Sequence, residues 1–139
     1  MSSHSNVVRI QTRGFSDMHD ITPLAAEFLS SSTVQTGLFC AFVPGATAGI
    51  TTIENEEGAL RDLREAIERM APRDIHYEHD TRWGDGNGFS HVRAALLGPS
   101  LSVPVADGKL RLGTWQQIVL IDFDNRPRSR EVIFEIVGD

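Results

Sequence analysis

Apolar residues along this 139-residue chain follow two periods, and the period changes from one segment to the next. Segments in which apolar and polar residues alternate, or in which β-branched residues dominate, predict β-strands. These segments are residues 7–12, 37–43, 50–54, 101–105, 109–112, 114–123 and 130–137. The uninterrupted apolar run 37–43 starts with a glycine and precedes Pro44, which predicts a strand buried on both faces.

Two other segments place apolar residues three and four positions apart, which is helical spacing. The first starts at Thr22-Pro23, the usual order of an N-cap and a first helical residue, and we expect it to end in the serine run 30–32. The second extends from about residue 56 to residue 71 and is stopped by Pro72. Segment 91–97 fits either period, and the glycines that flank it favour a strand.

Turn residues indicate how the strands connect. Asp107-Gly108 lies between two alternating segments and predicts a tight hairpin, and the longer turn at 124–127 predicts a second hairpin between the last two strands. Grouped strands with about two helices favour an α+β fold, built as a mainly antiparallel β-sandwich with flanking helices. The chain length fits one domain over residues 1–139.

Charge and composition narrow the classes of function. Lysine and arginine total 13 against 19 aspartates and glutamates, a net charge of -6, which disfavours nucleic acid and anionic membranes as partners. The single cysteine, Cys40, excludes an intrachain disulfide and is expected to act as a small apolar residue. Neither a signal-like N-terminus nor an apolar run of about 18 residues is present, so we expect a cytoplasmic protein.

The segment from residue 79 to residue 91 is the densest in chemically active groups. It contains two histidines, two aspartates, one asparagine and three glycines. If this segment folds back on itself as a loop, His79 and His91 can converge with Asp80 or Asp85, and such a set binds zinc or another divalent ion. Alternatively, one histidine is exposed and the other hydrogen-bonds the loop. The residue pattern alone leaves both interpretations open.

Other candidate groups lie outside this segment. Thr47, among small residues and glycines, can donate a hydroxyl hydrogen bond to a phosphate. Arg128 lies in a basic cluster that either binds an anion bidentately or only solubilises a turn. Glu54 is a candidate acid or base, or an ordinary surface charge.

Several short motifs occur in a characteristic order along the chain. They are Phe42-Val43-Pro44-x-x-Thr47-Ala48, Asp85-Gly86-Asn87 with His91, Leu97-Gly98-Pro99-Ser100, Leu112-Gly113-Thr114-Trp115-Gln116 and Arg126-Pro127-Arg128-Ser129-Arg130. With Glu54 they closely resemble the secondary thiamine-phosphate synthase family, the YjbQ-like proteins, from about residue 8 to residue 137. The resemblance implies a β-sandwich with flanking helices that assembles as a homotrimer with pockets near the subunit interfaces. It also implies a weak activity that joins a pyrimidine diphosphate to a thiazole phosphate with loss of diphosphate.

The resemblance further implies one polar cluster, formed by Glu54, His79, Asp85, Asn87, His91 and Gln116. We assign the following roles to these residues and to Thr47 and Arg128. A divalent metal ion, zinc or magnesium, would be held by His79, Asp85 and His91. The catalytic set would be these three residues with Glu54. The phosphorylated substrate would be bound by Thr47, Asn87, Gln116 and Arg128.

The chain departs from the family pattern at two positions. Many relatives have a histidine where this chain has Gly45, and many have another where Phe89 stands. Metal binding therefore depends on His79, His91 and nearby carboxylates. A non-catalytic module that binds a metal or an anion is the rival hypothesis.

Overall fold

A computed structural model describes residues 1–139, which form eight strands and four helices. In chain order these are β1 (Ser2–Thr12), β2 (Asp17–Asp20), α1 (Thr22–Ser32), β3 (Gly37–Phe42), β4 (Ala48–Ile53), α2 (Glu57–Met70), α3 (Glu78–Trp83), α4 (Gly88–Leu97), β5 (Ser100–Ala106), β6 (Lys109–Leu110), β7 (Gln117–Asp122) and β8 (Arg128–Gly138). The α+β class is confirmed, but the expected number of helices, about two, was too low. None of the helices is long and apolar enough to cross a membrane.

The strands form two sheets in which all neighbouring strands are antiparallel. The larger sheet has the order β1-β8-β3-β5-β6, and the smaller sheet has the order β2-β7-β4. The strand β8 lies between β1 and β3 in the larger sheet, with Ile133 opposite both Val7 and Phe42. The strand β7 is central in the smaller sheet.

The smaller sheet contributes to two apolar clusters because its central strand is buried on both faces. Ile118 and Leu120 of β7 belong to the main core, where Phe39 and Phe134 of the larger sheet also lie. The alternate residues of β7 pack in a second cluster with Ile67 of α2 and Ala94 of α4. Full burial of each such side chain stabilises the fold by roughly 1.5–3 kcal/mol. The strand β7 therefore contributes to the stability of both clusters.

Several local predictions are confirmed. Asp107 and Gly108 both have positive φ, 52° and 67°, as a tight β5–β6 hairpin requires. Helix α1 ends in the serine run, although its N-cap is Ile21, and the Thr22 hydroxyl accepts a hydrogen bond from the Ile118 amide at 2.7 Å. Helix α2 is capped by the Glu56 carboxylate and ends before Pro72.

Three predictions are wrong. Segment 91–97 is helical, not a strand, because it belongs to α4 and buries Phe89, Arg93 and Ala94 at helical spacing. The expected second hairpin does not form, since β7 and β8 lie in different sheets. The strand β3 is buried on one face only, and Leu38 and Phe42 on its other face are 49% and 40% exposed.

Candidate functional site

The segment expected to be a loop is two helices joined by a short turn. Helix α3 ends at Gly84, whose φ of 71° is left-handed, and α4 begins at Gly88. The Gly88 amide donates to Asp80 Oδ1 at 2.8 Å. A Cβ atom on Gly88 would lie 2.6 Å from the Tyr77 Cβ, so only glycine lets the two helices approach this closely.

This turn brings the two histidines of the segment together. The ring centroids of His79 and His91 are 4.2 Å apart, with the rings tilted by 38°. His79 Nδ1 lies 3.5 Å from Asp85 Oδ1 and 3.7 Å from Asp80 Oδ1. Ligand atoms of His79, Asp80 and Asp85 all lie within 4.8 Å of one another. The His91 ring packs against the His79 ring.

The environment of His79 is typical of a ligand site. Its Nδ1 atom is buried and has no hydrogen-bond partner. A buried polar atom without a partner is costly, and a bound ion or water is one way to satisfy it. One imidazole and two carboxylates are a donor set suited to a divalent cation.

A buried carboxylate, Asp124, binds the turn between α3 and α4 through Asn87. Asp124 is fully buried and accepts hydrogen bonds from Asn87 Nδ2 at 3.2 Å, Thr47 Oγ1 at 3.0 Å and Arg128 Nε at 2.8 Å. Burial raises the pKa of Asp124, but the hydrogen bonds from Asn125, Asn87, Arg128 and Thr47 outweigh it and hold the pKa at about 2. Asp124 is therefore an anion at any ordinary pH.

A second buried ion pair extends this network. Arg130 binds Asp122 bidentately, with Nε at 2.6 Å and Nη2 at 2.9 Å, and also donates to Thr47 Oγ1 at 2.5 Å. Thr12 Oγ1 donates to Asp122 from β1 at 2.5 Å. The two aspartates and the two arginines carry equal and opposite charge, so the network as a whole is neutral. It supports the turn that carries Asn87.

Asn87 ties the turn between Asp85 and His91 to this network. Its side-chain amide donates to the ionised Asp124, which fixes the amide orientation, and its Oδ1 atom is buried without a partner. The residue is 5% exposed. The Oδ1 atom is therefore a fixed, unsatisfied acceptor.

His91 is kept neutral near pH 7. Burial lowers its pKa, and the adjacent His79 lowers it further against the opposing effect of Asp124, Asp85 and Asp80. A cavity of about 270 Å³ adjoins His91 and is walled by small residues that include Gly45 and Ala94. A neutral imidazole beside a cavity can accept a proton or bind a metal.

The structure separates two of the candidate residues from this group. Thr47 directly precedes β4 and Glu54 directly follows it. The length of the strand therefore places Glu54 roughly 20 Å from Thr47. Glu54 is exposed, and Gln116, also exposed, donates to Thr52 Oγ1 at 3.2 Å. His79, Asp85, Asn87, His91, Thr47 and Arg128 belong to one connected cluster, whereas Glu54 and Gln116 lie outside it within a single chain.

Sequence reasoning missed the two buried aspartates. Asp122 and Asp124 continue the alternation of Ile118 and Leu120 toward the main core. Arg128 and Arg130 likewise share the face of Val132 on β8. Alternation along β7 and β8 could therefore have predicted that the two aspartates and the two arginines point inward, between the two sheets.

Comparison with known proteins identifies the family. Residues 6–139 match the family model described as UPF0047 protein YjbQ-like. The chain belongs to the YjbQ-like family. It is 35% identical over 132 residues to a UPF0047 protein of Methanocaldococcus jannaschii, which covers 94% of this chain and 92% of that protein. It is 34% identical over 138 residues to a UPF0047 protein of Methanothermobacter thermautotrophicus, with 99% and 94% covered.

Solved structures of YjbQ-like proteins share this fold. A protein of unknown function from Sulfolobus solfataricus P2 superimposes with a TM-score of 0.94 at 28% identity, with 99% of each chain covered. An uncharacterised YjbQ/UPF0047 protein of Clostridium acetobutylicum gives a TM-score of 0.87 at 33% identity, covering 95% of this chain and 99% of the other. The YjbQ-like fold therefore extends over nearly the whole chain.

Proposed function

We propose that this YjbQ-like chain is an enzyme that binds a phosphorylated small molecule beside a divalent metal ion and transfers part of it. The observation that carries the proposal is the buried His79 Nδ1 atom, which has no partner and faces Asp85 and Asp80 at 3.5 and 3.7 Å. A chain with only a structural histidine here would be expected to satisfy that atom internally.

The donor set fits a metal ion better than it fits a free phosphate. Asp80 and Asp85 are negative and have no arginine partner, whereas Arg128 and Arg130 are already paired with buried aspartates. The excess negative charge favours a cation. His79, Asp80 and Asp85 would hold the metal, which would supply positive charge to neutralise a phosphate leaving group.

The chain's own residues have separate tasks in this proposal. Asn87 Oδ1 accepts a hydrogen bond from the substrate, and Asp124 keeps that amide in place. His91, next to the cavity, would be a further ligand of the metal. Thr47 holds the turn before β4 through Asp124 and Arg130.

The specific reaction that we propose is the thiamine-phosphate synthase reaction. The ring nitrogen of a thiazole phosphate attacks the methylene carbon of a pyrimidine diphosphate, the carbon–oxygen bond breaks, and diphosphate leaves with its electron pair. The motif resemblance supports this choice. The proposed roles of Glu54 and Gln116 then require a neighbouring subunit, since both lie far from His79 in one chain.

A homotrimer is part of the proposal, and an exposed apolar face supports it. On the outer face of the larger sheet, Val7, Ile133 and Phe42 lie side by side, and Val137 lies beside Leu38. Val7, Phe42, Val137 and Leu38 are each 40–49% exposed. An apolar sheet face of this kind is typical of a subunit interface.

The test of catalysis is product formation. Purified protein is given both precursors with Mg²⁺, Mn²⁺ or Zn²⁺, and thiamine phosphate is measured by chromatography against a His91→Ala control. We expect product from the wild type and at least tenfold less from the variant. Equal amounts from both proteins, or none from either, would remove the synthase proposal.

The rival, a non-catalytic metal- or anion-binding module, predicts a different pattern. Metal or diphosphate would raise the melting temperature of the wild type, and neither precursor would be consumed. The departures at Gly45 and Phe89 favour this alternative, because each removes an imidazole found in many relatives.

A further inference from the structure

A second cavity, of about 240 Å³, lies apart from the His79 group and is lined by three arginines. It is formed between the turn before β2 and helix α2, and α4 closes its floor. The residues lining it are Phe15, Ser16, Arg64, Glu65, Glu68, Arg73 and Arg93. We propose that this cavity binds the phosphate group of a small molecule without a metal ion.

Arg93 forms the buried wall of the cavity. Its side chain is 5% exposed, pairs with Glu68, and donates to Ala71 O at 3.0 Å and to Ser16 Oγ at 3.3 Å. The Arg93 guanidinium is thus neutralised and fixed by its neighbours. Its role here is to hold the turn at Ser16 against the helices.

Arg64 and Arg73 differ from Arg93 because neither guanidinium group has a carboxylate oxygen within 4.0 Å, although the Arg73 backbone amide donates to Glu68 Oε1 at 3.2 Å. The Arg64 Nε atom donates to Ser16 O at 3.2 Å, which leaves its terminal nitrogens free. The Arg73 guanidinium carbon lies 4.2 Å from the centroid of the Phe15 ring. Both guanidinium groups are therefore oriented by contacts that do not neutralise them.

The charge of the cavity favours an anion. Glu68 is paired with Arg93, so two unpaired arginines remain against one glutamate, Glu65. This local excess of positive charge occurs in a chain whose net charge is -6. Guanidinium groups bind phosphate oxygens through two parallel hydrogen bonds, and a cavity of about 240 Å³ has room for a phosphate group.

The turn that forms one wall is held by backbone contacts. Gly14, Phe15 and Ser16 have consecutive left-handed φ values of 84°, 54° and 64°. The Phe15 amide donates to Asp124 O at 2.7 Å, and a Cβ atom on Gly14 would lie 2.5 Å from the same oxygen. Because the wall is held before any ligand arrives, less ordering is needed when one binds.

The test is a titration of the full-length protein with inorganic phosphate at constant ionic strength in EDTA, followed by amide NMR shifts. We expect saturable shifts at Ser16 and near Arg64 and Arg73. Arg64→Gln and Arg73→Gln should each weaken binding about tenfold, since each removes one charge-assisted contact. Arg69→Gln removes the same charge from an exposed site on α2 outside the cavity and should leave binding unchanged.

Two further variants separate this cavity from general charge screening and from the proposed metal site. Glu65→Gln removes the one opposing charge and should tighten phosphate binding, whereas general screening would not single out this position. His79→Ala should bind phosphate as the wild type does, so failure of the proposed enzyme site would not affect this result. The proposal is overturned if the wild type shows no saturable shift, or if Arg69→Gln weakens binding as much as Arg64→Gln and Arg73→Gln do.

Discussion

The residue on which the candidate site depends most is Asp124, a buried carboxylate that accepts hydrogen bonds from three side chains. Asp124→Asn would leave Arg128 without its anion and would change the donors around Asn87. Breaking a buried ion pair in this way is expected to lower the free energy of unfolding by about 3 kcal/mol. Urea denaturation measures the loss, with Asp107→Asn at an exposed turn as the control. A loss no larger than that of the control would contradict the assigned role.

The same residue gives the protein a specific acid sensitivity. The pKa of Asp124 is about 2 when folded, below its ordinary value of 3.8, so the unfolded chain binds this proton more readily. Its stabilisation, roughly 2 kcal/mol, is complete above about pH 4 and is lost as the pH falls toward 2. Unfolding of the wild type and Asp124→Asn should therefore be compared between pH 5 and pH 2. The difference between them should shrink with acid, and a constant difference would count against a lowered pKa at Asp124.

Metal binding is a prediction about His79 and Asp85. Zinc or manganese at 100 times the dissociation constant would stabilise the folded protein by about 2.7 kcal/mol. His79→Ala and Asp85→Asn should remove this stabilisation, measured as a shift in melting temperature. His76→Ala is the matched control, because His76 is exposed and its ring hydrogen-bonds to Glu78 and Thr81, outside the His79 group. Metal stabilisation that survives in both site variants would place the ion elsewhere.

At the scale of elements, the outcome depended on how the residues at the ends of each segment were interpreted. The amphipathic pattern of α2 was clear because its polar side carries most of its charges. Segment 91–97 fitted either period, and the flanking glycines that favoured a strand are instead the first residue and the C-cap of helix α4. The predicted β7–β8 hairpin was also wrong. A turn sequence alone does not tell whether the next strand returns to the same sheet.

The junction of α3 and α4 gives a prediction at this scale. Gly88→Ala would place a Cβ atom 2.6 Å from the Tyr77 Cβ and must push the two helices apart. We expect a loss of about 2 kcal/mol in stability and weaker metal binding, because Asp80 and His79 lie on α3. Gly113→Ala is the control, with its nearest contact at 3.4 Å. Unchanged metal affinity in a destabilised Gly88→Ala protein would show that the junction does not position the site.

For the whole molecule, alternation predicted most of the strands but not their arrangement in two sheets, and residue types predicted the candidate site only in part. The chemistry-rich segment and Thr47 were found from residue types, because histidine, aspartate and glycine stand out in sequence. The neutral network behind them was missed, since Asp122 and Arg130 meet only when two sheets face each other. For Glu54 and Gln116, the sequence grouped residues that the fold separates. Motif order grouped them with His79, but one folded chain keeps them apart, so their roles stay predictions that depend on assembly.

Assembly itself is the last prediction, and it follows from two exposed apolar areas. Phe42 lies on the outer face of the larger sheet, whereas Leu96 lies on α4 and is 61% exposed. If the sheet face is the trimer interface, Phe42→Lys should give monomers in sedimentation at tens of micromolar, because it buries an unpaired charge between subunits. Leu96→Lys should sediment as the wild type does. A monomeric wild type, or dissociation caused only by Leu96→Lys, would exclude this interface, and the proposed contributions of Glu54 and Gln116 from a neighbouring subunit would lose their structural basis.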